Sequence, residues 1–194
     1  MTICEFSKRA RCYLVSLVEI GQQQTATRQV HMTASLATYS QFFRLGLETG
    51  ICTADAAREW ALSVIAEMDE PPGEVIEVSW RKPLPQVITD LNSVPGDANL
   101  EIAGSWLLGI LLRCMSFSKA NPHSVLTGAK QIALSMSGHI RDTELYSLFN
   151  TLEDELNLAE SGVFGTVDGC KAEILEVLGR HSLPPPAELL NFCQ

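Results

Sequence analysis

At 194 residues, 46% hydrophobic, 19% charged and only 7% aromatic, the chain is long enough to bury one substantial core and short enough for a single globular domain. Its net charge of −9 argues against a nucleic-acid binder, whose footprint is a basic stripe that displaces counterions from phosphates. The longest apolar stretch, Ile102 to Leu112, falls well short of the ~20 residues a membrane span needs.

The charge is uneven. Residues 1–31 carry a net +2, from Lys8, Arg9, Arg11 and Arg28 against Glu5 and Glu19, which leaves −11 on the remainder. Residues 10–20 have the outline of a secretory leader, but Glu19 interrupts the apolar run and no small-residue cleavage site comes after it. The polar stretch Gln22 to Arg28 separates this segment from the rest of the chain, and no apolar periodicity crosses it. The expected organisation is a poorly ordered extension over residues 1–31, with Met32 as a candidate initiator, and one helical domain over residues 32–194. The competing reading is a short amphipathic helix from Ser7 to Ile20 packed back on the body.

Helical signals then come in succession. Tyr39, Phe42, Phe43, Gly46 and Leu47 keep helical spacing and stop at Gly50. Thr53 is an N-cap candidate, Asp55 suits the positive helix end, and Ala57, Trp60, Ala61, Val64, Ile65 and Met68 form an amphipathic stripe ended by Pro71 and Pro72. Glu74 to Trp80 is ambiguous by propensity, and its start after Pro72 favours a short helix. Leu84, Val87, Ile88 and Leu91 repeat behind Pro83, and Pro95-Gly96 marks a turn with Asp97 as the next candidate cap.

From Leu100 to Met115 nearly every face is apolar, which predicts a central buried helix whose Gly104 and Gly109 allow close packing. Asn121 with Pro122 opens another helix ending at Gly138. Asp142 is the candidate cap of a stripe running Leu145, Leu148, Phe149, Leu152 and Leu156, and Thr166 introduces the last long helix, stopped by Gly179. Pro184, Pro185 and Pro186 lead to a short apolar tail. The expectation is all-α: about seven to eight helices in an irregular orthogonal bundle or stacked helical hairpins, without the fixed period of a solenoid.

Chemistry is sparsely signalled. None of the four histidines stands in a metal spacing; His123, His139 and His181 fall at helix ends, where capping or solvation is the common role. Gly104 to Gly109 lacks the Lys-Ser/Thr of a phosphate loop, and Ser161 has no nucleophile-elbow context. Six cysteines, Cys4, Cys12, Cys52, Cys114, Cys170 and Cys193, lack C-x-x-C pairs and the density of a disulfide scaffold, which fits a reducing cytoplasm. No catalytic residue, cofactor or metal ligand set is assigned from these patterns.

The feature singled out is the acidic group Glu67, Asp69, Glu70, Glu74 and Glu77 around Pro71 and Pro72, with Trp80 beside Arg81 and Lys82. Carboxylates on a corner stiffened by prolines can steer a basic protein, and an exposed tryptophan would suit a binding hot spot. The plainer readings are a solvated helix end for the acids, as for the run Glu153-Asp154-Glu155, and a core position for Trp80, as for Trp60 and Trp106.

The stretch from Tyr39 to Ser79, with Phe42-Phe43-Arg44-Leu45-Gly46-Leu47-Glu48-Thr49-Gly50, Trp60-Ala61, Asp69-Glu70-Pro71-Pro72 and Ile76-Glu77-Val78-Ser79, resembles small bacterial helical proteins of unknown function. The resemblance covers 41 residues and implies a bacterial cytoplasmic protein, with no mechanism attached. Two functions stay open. One is a non-enzymatic acidic interaction module, immunity- or adaptor-like, for a basic protein partner. The other is an enzyme or metal-binding bundle whose ligands, with His123, His139 and the acidic corner as candidates, converge from separate helices.

Overall fold

The computed structural model describes residues 34–117, 120–138 and 143–191, and these contain eight α-helices and no strand. In chain order they are α1 (Leu36–Glu48), α2 (Ala54–Glu67), α3 (Gly73–Val78), α4 (Leu84–Ser93), α5 (Leu100–Ser116), α6 (Pro122–Met136), α7 (Glu144–Glu160) and α8 (Val167–His181), with a 3-10 turn after them at Leu189–Asn191. The chain divides into residues 1–34 and 35–194. The expected extension over residues 1–31, the alternative helix Ser7 to Ile20, and the tail residue Phe192 lie outside the described residues, as do His139, Asp142, Cys4, Cys12 and Cys193.

Side-chain caps set most helix starts. Ser35, Thr53, Asn99, Asn121, Thr143 and Thr166 each accept a backbone N–H two or three residues ahead, satisfying a donor that the helix itself leaves open. Each such cap is worth about 1 kcal/mol. Asn99 rather than Asp97 caps α5: the Asp97 carbonyl accepts from Ser35 Oγ, while Asn99 Oδ1 reaches the Ile102 amide at 3.0 Å. Thr143 caps α7. The ambiguous segment is the short helix α3; its Val75 and Val78, three residues apart, are buried on one face, so tertiary cover outweighs the β propensity of these side chains.

The helices pack as two rings. In the first, α1 packs on α2, α2 on α3, α3 on α4 and α4 back on α1; in the second, α5, α6, α7 and α8 close in the same way. The seam is α1 against α5. A chain of aromatic contacts crosses it: Trp106 of α5 lies 5.3 Å from Tyr39 and 6.3 Å from Phe42, Phe42 meets Phe43 edge-on at 5.2 Å, and Phe43 lies 5.1 Å from Trp60 of α2. Trp60 and Trp106 are buried, as their stripes predict. The Trp106 indole N–H has no acceptor among the described residues, a buried donor left at a cost of roughly 1–3 kcal/mol.

The glycine pair of α5 does permit close approach. A Cβ at Gly104 would collide with the Met136 side chain of α6, and one at Gly109 with the Leu183 carbonyl of the connector after α8. That connector is held by the Leu183 amide on the Ser105 carbonyl at 3.0 Å. Further along it, Glu188 accepts from the Tyr39 hydroxyl at 3.1 Å; burial first, then the Glu188 charge, pushes this phenol well above its usual pKa. No helix among the described residues is long and apolar enough to cross a membrane.

Candidate functional site

The acidic corner arises where α2 ends without cover. The stripe expected over Ala57 to Met68 is buried only in its first half, at Ala57, Trp60 and Ala61, with Ala56 beside it; Val64 and Ile65 are half-buried, and Met68 is 42% exposed. Helix α3 is six residues long, about 9 Å, whereas α2 runs about 20 Å, so α3 covers only part of its neighbour. Leu62 is 50% exposed and Ile76, on α3, is exposed as well. Leu62 was legible in principle, since it sits about 200° round the helix from Trp60, on the polar side of the stripe.

The carboxylates fall in the same stretch of the chain. Glu67, Asp69 and Glu70 are exposed and Glu74 is half-buried, and none of the four is ion-paired among the described residues. Glu74 lies in the first turn of α3, where the helix dipole favours a negative charge.

Glu77 and Trp80 belong to a different setting. Helix α3 carries the chain back toward the start of α2, and Trp80, 54% exposed, lines a cavity of about 340 Å³ with Ala54, Asp55, Arg58, Arg81, Lys82 and Val87. The core reading of Trp80 therefore fails. Lys82 ties the two residues together: its ammonium binds Glu77 and, at 3.0 Å, Asp90, and sits 5.2 Å from the centroid of the Trp80 ring. The Glu77 hydrogen bond leads in raising the Lys82 pKa; partial burial opposes it and Asp90 adds to it. The six candidate residues thus divide, with Glu67, Asp69 and Glu70 at the far end of α2, Glu77 and Trp80 by its start, and Glu74 opening the short helix between.

The two histidines among the described residues, His123 and His181, are placed at helix ends. His181 closes α8 beside Arg180, where cations suit the negative helix end. His123, in the first turn of α6, binds Glu160 at the end of α7 through Nε2 at 3.1 Å, a pairing that 37 residues of separation hide from the sequence. It lines a cavity of about 450 Å³ with Glu48, Thr49, Ser124, Thr127, Gly128 and Gln131. Among the described residues no hydroxyl or thiol is hydrogen-bonded to this imidazole, and no group of three or more His, Cys, Asp or Glu side chains is placed to hold a metal. Ser161 caps the end of α7, its hydroxyl donating to the Asn157 carbonyl at 2.8 Å. Cys114 and Cys170 are free thiols, and Cys170, like Cys52, is buried.

Compared with protein-family models, curated proteins and solved structures, the chain matches none of them.

Proposed function

We propose that this chain is a non-enzymatic, cytoplasmic interaction module, adaptor- or immunity-like, whose acidic corner docks a basic partner protein. The observation that carries this reading is the set Leu62, Met68 and Ile76, exposed among four carboxylates that have no ion pair in the described residues. Three large apolar side chains exposed over the same 15 residues as these carboxylates offer a partner apolar contact as well as charge. Apolar contact supplies affinity, and charge supplies orientation and encounter rate. The division at Met32, with residues 1–31 as an extension, belongs to the same proposal: a chain beginning at Met32 is expected to melt at nearly the temperature of the full chain, and loss of its cooperativity would contradict that division.

The test uses a synthetic amphipathic peptide of alternating Leu and Lys as a stand-in for the partner, with association read by stopped-flow mixing. Replacing Glu67, Glu70 and Glu74 with Gln should slow association and leave the melting temperature unchanged, since exposed charges add little to stability. Raising ionic strength should mimic the substitutions, because charge steering is screened within ~8 Å at physiological salt. Equal association rates for both proteins across the salt series would overturn the proposal. The alternative, a catalytic or metal site, is favoured only by the His123–Glu160 pair; zinc or manganese retained by the purified protein and lost in His123→Ala would support it.

A further inference from the structure

Among the described residues the two helix rings share one substantial helix contact, the α1–α5 seam, where Trp106 lies against Tyr39 and Phe42. Two bodies joined along a single pair of helices can pivot about that pair unless something spans it. The segment after α8 spans it. Ser182 caps the end of α8, its amide donating to the Leu178 carbonyl at 2.9 Å. One residue on, the Leu183 amide donates to the Ser105 carbonyl of α5 at 3.0 Å. Five residues further, the Glu188 carboxylate accepts from the Tyr39 hydroxyl of α1 at 3.1 Å. Residues 182–189 thus run from the second ring, across the seam, to the first.

The segment is both stiff and seated. Pro184, Pro185 and Pro186 restrict three successive φ angles and favour an extended strand of about 3.1 Å per residue, so a position set at Leu183 is passed on to Glu188 with little slack. Gly109 leaves a notch in α5 for it: a Cβ there would collide with the Leu183 carbonyl and press on Pro185 Cδ at 3.2 Å. Pro185, Pro186 and Leu189 are buried, and the Leu189 amide closes a turn on the Pro186 carbonyl at 3.0 Å. Tyr39 is held from two directions, its ring against Trp106 of α5 and its hydroxyl on Glu188.

We infer that residues 182–189 are a latch that holds the two helix rings at a fixed angle, and that its release uncouples them. With the latch seated the rings move and unfold as one body. With it detached, only the α1–α5 seam joins them, and each ring responds on its own. The latch does not involve the acidic corner.

Urea unfolding of the full chain, followed residue by residue in amide NMR spectra, reads the two rings separately. The wild-type chain should show one midpoint for α1–α4 and α5–α8 together. Glu188→Ala combined with Leu189→Ala removes the acceptor for Tyr39 and the buried side chain next to it. This double variant should split the transition, with the midpoints of the two rings separating by about 0.5 M urea or more. Glu188→Gln keeps an oxygen that can accept from the Tyr39 hydroxyl and should keep a single midpoint.

A tail that is merely buried would behave differently, since trimming it would lower both midpoints together. A joint shift in the double variant, a single midpoint left where it was, or two midpoints already present in the wild-type chain would each overturn the inference. Should the double variant fail to fold in water, Glu188→Ala alone, at a half-buried position, is read by the same criterion. None of these outcomes bears on peptide binding at the acidic corner, so the two proposals fail separately.

Discussion

Helix α5 buries nine of its 17 residues and α2 only four of its 14, although apolar side chains, Ala included, fill 11 positions of the first and nine of the second. The shares of apolar positions are alike, but five of the nine in α2 are Ala against one of the 11 in α5, so α5 has more to bury. Cover differs as well: α5 is enclosed by α1, α6, α8 and the connector at Leu183, whereas α2 has α3 along part of its length and a light contact with α1. Met68, exposed although it lies on the stripe, is what α2 leaves over where its neighbour is too short, whereas Leu62 is exposed because it lies on the polar side.

Truncation inside α5 should have the largest effect. Trp106→Ala should cost about 3–5 kcal/mol in urea denaturation, as for other large-to-small core changes. Trp106→Phe should cost far less, because it also removes the buried N–H that finds no acceptor among the described residues. Equal losses for the two variants would show the indole N–H to be satisfied.

Glycine substitutions give the next largest contrast. Gly109→Ala drives a methyl into the Leu183 carbonyl and should destabilise by about 1–3 kcal/mol, the usual cost of overpacking. Gly179→Ala, in α8 with open space around it, should instead stabilise by roughly 0.5–1 kcal/mol through helix propensity. Matching signs for the pair would mean that the connector does not press on α5.

The smallest effect belongs to the uncovered end. Leu62→Gln and Met68→Gln should each change stability by no more than about 0.5 kcal/mol, as for ordinary surface positions. A loss above ~2 kcal/mol for either would mean that the end of α2 is core and not a docking surface.

Local chemistry made much of the fold legible. The caps at Thr53, Asn121 and Thr166, the stop at Gly50 with its φ of 73°, and the packing role of Gly104 and Gly109 each depend on a few neighbouring residues or one apolar face. The candidate site was legible only as a composition. Cover is a tertiary property: nothing within Ala57 to Met68 says that α3 covers only part of α2, and the same ignorance made Trp80 resemble a core residue. The cations around Trp80 include Arg58, 22 positions away, which comes close only because α3 doubles back.

The proposal that uncovered apolar residues among carboxylates make residues 62–77 a docking surface, and not merely a solvated one, stands or falls on where a ligand binds. Amide chemical-shift mapping during titration with the Leu/Lys peptide reads this out, because the acidic stretch 144–170 offers the same peptide six competing carboxylates. Shifts should concentrate at residues 62–77 and be lost when Leu62, Met68 and Ile76 are replaced by Gln. Shifts spread evenly over both acidic regions, or a pattern unchanged by those three substitutions, would contradict the proposal.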